Sequence, residues 1–166
     1  MDIPPHRRDE FFIDRPLEVL KADHQLIRQL FDRYFRAKDA NEKKDIGPHI
    51  LLLLEMHTSL EEGVFYSRVR EADPALVDQC QHEHDEAGQM IAKLKIMDEG
   101  DPQTEQTFHQ LADTIFKHIE TEEHQLFPKV LQARLDLGAI GQEMRAFEAG
   151  LLGARAHRPS TPDMRQ

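Results

Sequence analysis

The sequence contains a single cysteine, Cys80, so no disulfide can form within the chain. Such low cysteine use is typical of proteins in a reducing compartment. Long apolar runs are also missing. The longest covers residues 50–54, far below the roughly 18 apolar residues that a membrane span needs. The first 13 residues contain no apolar signal segment. We therefore expect a cytoplasmic protein that has no membrane partner.

Positive charge is scarce as well. The chain has 21 basic and 31 acidic residues, which gives a formal net charge of -10. A protein that binds nucleic acid or an anionic membrane usually carries the opposite balance, so we expect neither as a partner. The acidic excess is typical of solvated helical surfaces, and the sequence indicates neither a protein partner nor an oligomeric state.

Alternating apolar patterns bounded by turn residues are absent, so no strands are predicted. Apolar residues instead recur at steps of three and four in four successive segments, which predicts amphipathic helices. The predicted fold is all-α, an up-down-up-down four-helix bundle with a short C-terminal fifth helix. We expect one domain, with an N-terminal arm at residues 1–13, the bundle at 14–153 and a disordered tail at 154–166.

Turn residues suggest where the helices begin and end. Aspartates close to a following proline predict helix starts at Asp14, Asp73 and Asp101. The polar residues 38–44 interrupt the pattern, and Pro48 predicts a kink or the start of the second helix. Gly138 predicts the end of the fourth helix, and the short fifth helix is expected at residues 139–151.

Histidine and glutamate repeat along the chain with nearly constant spacing. His24 and His84 are 60 residues apart, and His57 and His118 are 61 apart. Four residues after His57 comes Glu61, and four after His118 comes Glu122. Residues four apart lie on one face of a helix, so each of these pairs presents an imidazole and a carboxylate in the same direction. The chain resembles two copies of one helical hairpin.

The positions of the turns predict that the four histidines lie at one level. In antiparallel helices, residues at equal height are equally distant from the turn that joins them. The midpoint between the first two histidines falls near Asn41, the next near Asp73 and the third at Asp101, all in predicted turns. Four inward histidines in one layer are more than hydrogen bonding within a core requires.

The predicted layer contains six candidate metal ligands: His24, His57, Glu61, His84, His118 and Glu122. Six are too many for one tetrahedral zinc, and they suit two metals that take two imidazoles each and share both carboxylates. Positions remain for a bridging oxygen, water or a small ligand. Imidazole and carboxylate suit iron, and also manganese or zinc. The residues alone therefore predict two such metal ions with room for a bridging oxygen.

These motifs resemble those of the hemerythrin-like HHE cation-binding family. The resemblance covers about residues 16–136 and is carried by Asp23-His24, His57 with Glu61-Glu62, Glu83-His84, and His118 with Glu122-Glu123 before Phe127-Pro128. It implies a four-helix bundle with a non-haem di-iron centre that binds oxygen, nitric oxide or peroxide, and we therefore expect two non-haem iron ions joined by an oxo or hydroxo bridge. By this resemblance, the metal ligands of the family correspond to the same six residues.

The chain departs from the oxygen-carrying members of that family. Those proteins have a fifth histidine, from an HxxxH pair on the third helix, whereas here Cys80 and Gly88 lie four residues on either side of His84. The pattern looks more like the stress-linked, iron-sensing and iron–sulfur-repair members of the family.

Several nearby residues have two interpretations. Cys80 is a small buried apolar residue or a thiol beside the metals. Gly88 permits close helix packing or leaves space for a diatomic ligand. Glu62 and Glu123 are expected in solvent, and Tyr34 and Tyr66 are expected too far from the layer to take part in its chemistry. The remaining histidines are expected on the surface: His6, His49, His82, His109, His124 and His157.

Three functions fit this sequence. The first is a di-iron protein that binds or senses a small oxidant, with slow peroxide turnover as an extension. The second is an iron-handling, iron-sensing or iron-centre repair protein, for which metal occupancy itself is the signal. The third is a bis-histidine haem bundle, which would leave Glu61 and Glu122 buried without a role and lacks a CxxCH motif.

Overall fold

The computed structural model describes residue 8 and residues 10–156, with side chains as far as residue 154. This part of the chain is all-helical and contains no strand, as predicted. Its helices are α1 (Pro16–Arg36), α2 (Ala40–Leu60), α3 (Tyr66–Val69), α4 (Pro74–Leu94), α5 (Pro102–Thr121), α6 (Phe127–Gln132) and α7 (Leu137–Ala156). Within these residues, no helix is both long enough and apolar enough to cross a bilayer.

Two of the connections between helices are π-helical turns. Residues Glu61–Phe65 lead from α2 into α3, and residues Glu122–Leu126 lead from α5 into α6. We call these the first and the second π-turn. A short 3₁₀ turn, Arg70–Ala72, follows α3. Each π-turn contains one extra residue within an otherwise helical path, a feature frequent at functional sites.

Aspartate caps set several helix starts. Asp73 accepts a hydrogen bond from the backbone N–H of Leu76, and Asp101 accepts one from Gln103, which confirms these two predicted starts. The predicted start near Asp14, with Pro16 in the first turn, is confirmed within two residues, but the cap position is Arg15 and Asp14 does not cap the helix. Asp39, which the prediction missed, caps α2.

Two predicted helix boundaries need correction. With Asp39 as its cap, α2 begins at Ala40, so the polar residues 40–44 are helical and Pro48 lies inside the helix. The prediction that Gly138 ends a helix is also wrong. The turn before α7 instead contains Arg134 in a left-handed conformation with φ 53°, and Gly138 lies within α7.

The last helix is longer than predicted. It spans 20 residues, Leu137–Ala156, rather than residues 139–151. Residues 154–156 of the expected tail are therefore helical, and the rest of that tail lies outside the described residues. Of the expected N-terminal arm, the structure describes residue 8 and residues 10–13.

Contacts along α1 and α5 run in opposite order, as expected for antiparallel neighbours. Near the end of α1, the Tyr34 ring packs on Phe108 with centroids 4.3 Å apart, close to the start of α5. Earlier in α1, His24 faces Glu122, just past the end of α5. The complete up-down-up-down order of four helices stays a prediction.

The core consists of two apolar clusters with a polar layer between them. On α1, Leu17 and Leu20 belong to one cluster and Ile27 and Leu30 to the other, with His24 between them. The other helices divide in the same way, with His57 and His84 at the boundary. The packing thus fixes the height of the polar layer within the molecule.

Candidate metal centre

The structure brings all six predicted ligands together. They come from α1, α2, α4, α5 and the first residue of each π-turn. All six side chains are buried, and Glu61 and Glu122 have no exposed surface. Burial of two carboxylates among apolar clusters is costly unless each has a partner, so their partners define what the layer can do.

The six side chains form two groups of potential ligand atoms that share Glu61. In one group, atoms of His24, His57, Glu61 and Glu122 all lie within 4.8 Å of one another. In the other, Glu61 is joined by His84 and His118. Glu122 also lies between the two histidine pairs, because its Oε1 is 3.2 Å from His24 Nε2 and 3.1 Å from His118 Nε2. Both carboxylates therefore occupy positions from which they could bridge two ions.

Several of these atoms make no well-directed hydrogen bond to the described residues, although other potential ligand atoms lie close to them. They are Nε2 of His24 and His57, both carboxylate oxygens of Glu61, and Oε1 of Glu122. Buried polar atoms without partners are rare, because each costs about 1–3 kcal/mol. Here they are imidazole and carboxylate atoms that converge on one another, as metal ligands do. The donor set therefore fits a cation.

The π-turns place both glutamates. Each turn starts at its glutamate. The backbone carbonyl of the glutamate accepts a hydrogen bond from the backbone N–H five residues later, which belongs to Tyr66 for Glu61 and to Phe127 for Glu122. On the preceding helical turn, His57 Nε2 lies 2.7 Å from Glu61 Oε1. The predicted pairing of histidine with glutamate four residues later is thus present, but the helix widens immediately after it.

Each of the four imidazoles is also held from outside by a second carboxylate. The Nδ1 atom of each ring lies within hydrogen-bond distance of an acid that belongs to a different helix or turn. The pairs are His24 with Glu123 (3.1 Å), His57 with Asp23 (2.8 Å), His84 with Glu62 (3.2 Å) and His118 with Glu83 (3.1 Å). We call Asp23, Glu62, Glu83 and Glu123 the outer acids. They orient the rings with Nε2 inward, as metal-bound histidines usually are.

Sequence reasoning missed this role of the outer acids. Both Glu62 and Glu123 were expected in solvent. The Glu62 side chain is 37 % exposed, close to that expectation, whereas the Glu123 side chain is only 27 % exposed. Each of the two contacts a histidine. A signal was present, because an acid directly precedes His24 and His84, and a second glutamate directly follows Glu61 and Glu122. Each of these acids reaches a neighbouring helix, which spacing along one helix cannot reveal.

Negative charge dominates the electrostatics of the layer. Burial lowers the pKa of His57, but the charge of Glu61, the hydrogen bond with Asp23 and the close contact with the Glu61 carboxylate outweigh burial and raise this pKa to about 10. Burial raises the pKa of Glu61, yet the charge of His57 and the close contacts of the Glu61 carboxylate with its neighbours hold it well below its usual range. Surroundings that favour a charged imidazole also favour a bound cation.

Residues 15–130 match the hemerythrin HHE cation-binding domain family. The chain belongs to this family. The match covers most of the described helices and all six predicted ligands, and it confirms the resemblance found in the motifs. The fold and the histidine–glutamate cluster are therefore those of a cation-binding domain.

Two known proteins resemble this HHE domain. The crystal structure of an HHE cation-binding domain-containing protein from Mycobacterium kansasii matches with a TM-score of 0.67 and 21 % identity, over 85 % of this chain and 91 % of that chain. This likeness shows the hemerythrin-like fold. A DNA nickase from Nostoc sp. is 26 % identical over 117 residues, 68 % of this chain. The matched part is 32 % of that relative's length.

Tyr66 lies in the centre of the HHE domain, so the prediction that placed it far away is wrong. Its hydroxyl donates a hydrogen bond to Glu122 Oε2 at 3.0 Å and lies 3.1 Å from His84 Nε2. The first π-turn, together with the length of the side chain, brings the ring back toward the layer. Tyr34 lies in the other apolar cluster, where its hydroxyl donates to Glu99 at 2.5 Å.

Cys80 and Gly88 flank His84 on α4, one on each side of the layer. Cys80 is buried in an apolar cluster, and its sulfur lies near potential ligand atoms of Glu83 and His118. Burial raises the pKa of Cys80 well above its usual value, which keeps a neutral thiol at this position. A Cβ on Gly88 would meet nothing within 4 Å, so the close-packing interpretation of this glycine is wrong.

Gly88 instead borders a groove. The groove has a volume of about 290 Å³ and lies between α2 and α4, with Thr58, Ser59 and His84 among its lining residues. The open space beside Gly88 that the second interpretation expected is therefore present.

The histidines predicted to lie on the surface contribute nothing to the centre within the described residues. His82, His109 and His124 are exposed, and His49 is half-buried on α2. His6 and His157 lie outside the described residues.

Proposed function

We propose that this HHE domain binds two non-haem iron ions within an up-down-up-down four-helix bundle and uses them to bind or sense a small oxidant. The oxidant is oxygen, nitric oxide or a peroxide, and slow peroxide turnover is compatible with the same site. His24, His57, His84 and His118 would supply one imidazole nitrogen each, and Glu61 and Glu122 would bridge the ions.

One observation carries this proposal. The inward atoms of the layer form two histidine pairs with both glutamates between them, and several of these atoms make no well-directed hydrogen bond. The arrangement offers each of two ions two nitrogens and two bridging oxygens. Manganese or zinc would fit the same donors, but iron supplies the redox chemistry with oxygen and peroxide for which such a site is suited.

The surrounding residues favour a small ligand over a large substrate. The layer lies between two apolar clusters, and Glu61 and Glu122 have no exposed surface. The groove beside Gly88 gives a diatomic molecule or peroxide a path to the imidazole of His84. The outer acids hold the rings in place, so that little reorganisation is needed when such a ligand binds.

Metal analysis of the purified protein tests the proposal. We expect about two irons per chain in the wild type, and loss of most of the metal in Glu61→Ala because Glu61 belongs to both ligand groups. His82→Ala is the matched control, since His82 pairs with Glu86 on the exposed face of α4. Equal metal loss in the two variants would contradict the ligand assignment.

Spectra of the iron-loaded protein test the second half of the proposal. We expect the visible absorption to change when azide, nitric oxide or peroxide is added, because each could occupy a coordination position on iron that no protein ligand fills. A spectrum that none of them alters, with rapid loss of iron to a weak chelator, would favour the iron-handling function instead. DNA nicking, which is named for the Nostoc relative, is not part of the proposal, since a net charge of -10 opposes DNA binding.

A further inference from the structure

Tyr66 places its phenol oxygen among the predicted ligand atoms. The oxygen lies 3.0 Å from Glu122 Oε2, 3.1 Å from His84 Nε2 and 3.4 Å from His118 Nε2. The two imidazole nitrogens are themselves only 2.9 Å apart. Four electron-rich atoms thus surround one small volume, and the four side chains that carry them are buried.

Hydrogen bonding within the protein does not satisfy this group of atoms. A phenol has one proton and can donate it to one acceptor, here Glu122. The Nδ1 atoms of His84 and His118 face their outer acids, so their Nε2 atoms carry lone pairs when the rings are neutral. Those two lone pairs and the phenol oxygen then face one another without a proton between them. A cation in their midst removes the repulsion.

The distances also agree with a shared metal ion. Oxygen and nitrogen ligands lie about 2.0–2.2 Å from a first-row metal ion, so neighbouring ligands at right angles are roughly 3 Å apart. The separations between the phenol oxygen and its three neighbours fall around this value. A tyrosine that merely donated a hydrogen bond to Glu122 would not need to lie 3.1 and 3.4 Å from two imidazole nitrogens as well.

We propose that Tyr66 is a metal ligand, and that its phenolate oxygen binds the ion held by His84 and His118. The proposal rests on the metal site proposed above and adds a seventh protein ligand to it. When the ion binds, the O–H bond of Tyr66 breaks, the oxygen donates an electron pair to the metal, and the proton leaves to solvent. Phenolate is an anionic oxygen donor that also serves iron in haem proteins.

The duplicated hairpin makes this ligand specific to one half of the centre. Phe127 corresponds to Tyr66 in the second half, since each is the residue that closes its π-turn. The Phe127 ring stacks beside His24 with centroids 6.2 Å apart, as the Tyr66 ring lies beside His84 at 5.2 Å. One ion thus has a phenol for a neighbour and the other a phenyl ring, so the two ions are chemically different.

Resonance Raman spectra of the iron-loaded protein test the assignment. A phenolate bound to ferric iron gives a visible charge-transfer band, and excitation in that band enhances the ring vibrations of the bound tyrosine. The chain has only two tyrosines, so Tyr66→Phe and Tyr34→Phe together account for every possible source. Tyr34→Phe is the matched control because Tyr34 is equally buried but lies in the cluster beyond the layer.

We expect phenolate vibrations in the wild type and in Tyr34→Phe, and their complete loss in Tyr66→Phe with about two irons per chain retained. Unchanged vibrations in Tyr66→Phe, or a wild type that holds two irons but shows no phenolate vibrations, would overturn the assignment of Tyr66 alone. A wild type that binds no metal would contradict the proposed metal site itself, so the two failures are distinguishable.

Discussion

Glu83 shows how much of the centre depends on residues that do not face the metal positions. Its Oε1 accepts a hydrogen bond from Nδ1 of His118 on the neighbouring helix, and its Oε2 accepts one from the hydroxyl of Thr121. Burial raises the pKa of Glu83, but the hydrogen bond and charge of His118 outweigh it, so this pKa lies below its usual value. Glu83 is therefore charged and holds the His118 ring in one orientation.

Replacement of Glu83 by alanine should weaken metal binding without removing a ligand. The variant leaves Nδ1 of His118 without its acceptor and frees the ring to rotate, and loss of such a partner typically lowers metal affinity by about 10–100-fold. Competition with a chelator of known affinity measures the change. Glu86→Ala is the matched control, because Glu86 is on the same helix but exposed and paired with His82. Similar affinities for the two variants would show that Glu83 does not orient His118.

The six candidate ligands could be predicted from sequence, but their partners could not. His57 and Glu61 share a helical face at a spacing that any helix preserves, and the same holds for His118 and Glu122. Asp23 and Glu83 act on a histidine of another helix, and that pairing depends on how the helices rotate against each other. Tyr66 reaches the centre through a π-turn, which has no clear residue preference to reveal it.

At the scale of helices, α7 is held by two close approaches at glycines. A Cβ on Gly141 would overlap the backbone carbonyl of Ile13, where the N-terminal segment crosses the helix. A Cβ on Gly63, in the first π-turn, would overlap the ring of Phe147. The N-terminal segment is further attached through Arg8, which pairs with Asp23 and with Glu148 of α7. Helix α7 is thus connected to the centre through Arg8 and Asp23.

Gly141→Ala should destabilise the protein, whereas Gly150→Ala on the same helix should not. The new methyl group at 141 meets a backbone carbonyl that cannot rotate away, and such overpacking typically costs about 1–3 kcal/mol. A Cβ at 150 meets nothing within 4 Å, so alanine should stabilise the helix by about 0.5–1 kcal/mol. Urea unfolding followed by circular dichroism measures both changes. If Gly141→Ala matched Gly150→Ala in stability, the crossing would be looser than the structure shows.

Capping aspartates predicted helix starts correctly only where a proline follows them. Asp73 and Asp101 combine a capping carboxylate with a proline at the next position, and both starts were predicted correctly. Asp39 caps α2 without a proline beside it, so the polar residues that follow were mistaken for a break. The length of α7 depends on packing against the rest of the molecule, and Gly138, expected to end the preceding helix, lies within α7 instead.

For the molecule as a whole, the buried polar layer lowers the stability of the folded state, and metal binding would offset this cost. Two apolar clusters fold around six carboxylates and four imidazoles, and several inward atoms of these groups make no well-directed hydrogen bond. A ligand that binds the folded chain and not the unfolded one stabilises the fold by mass action. Metal affinity and thermal stability should therefore change together.

Removal of the metal should lower the melting temperature. Metal at 100 times its dissociation constant stabilises a single site by about 2.7 kcal/mol. For a chain of this size, that corresponds to roughly 5–10 °C. Thermal unfolding before and after treatment with a chelator, followed by circular dichroism, gives the difference. Glu61→Ala should show no such difference, and a wild type that melts at one temperature with or without metal would contradict the coupling.

The two π-turns also limit how this chain can be redesigned. Each holds one residue beyond the count of a regular helix, so deletion of Gly63, for example, would restore an uninterrupted α-helix. The helix after the turn would keep its direction and its face, because the turn already absorbs the extra residue. Only the turn itself would tighten, and Glu62, whose carboxylate contacts His84, lies inside it. Straightening this helix would therefore disturb the support of one imidazole and leave the path of the chain unchanged.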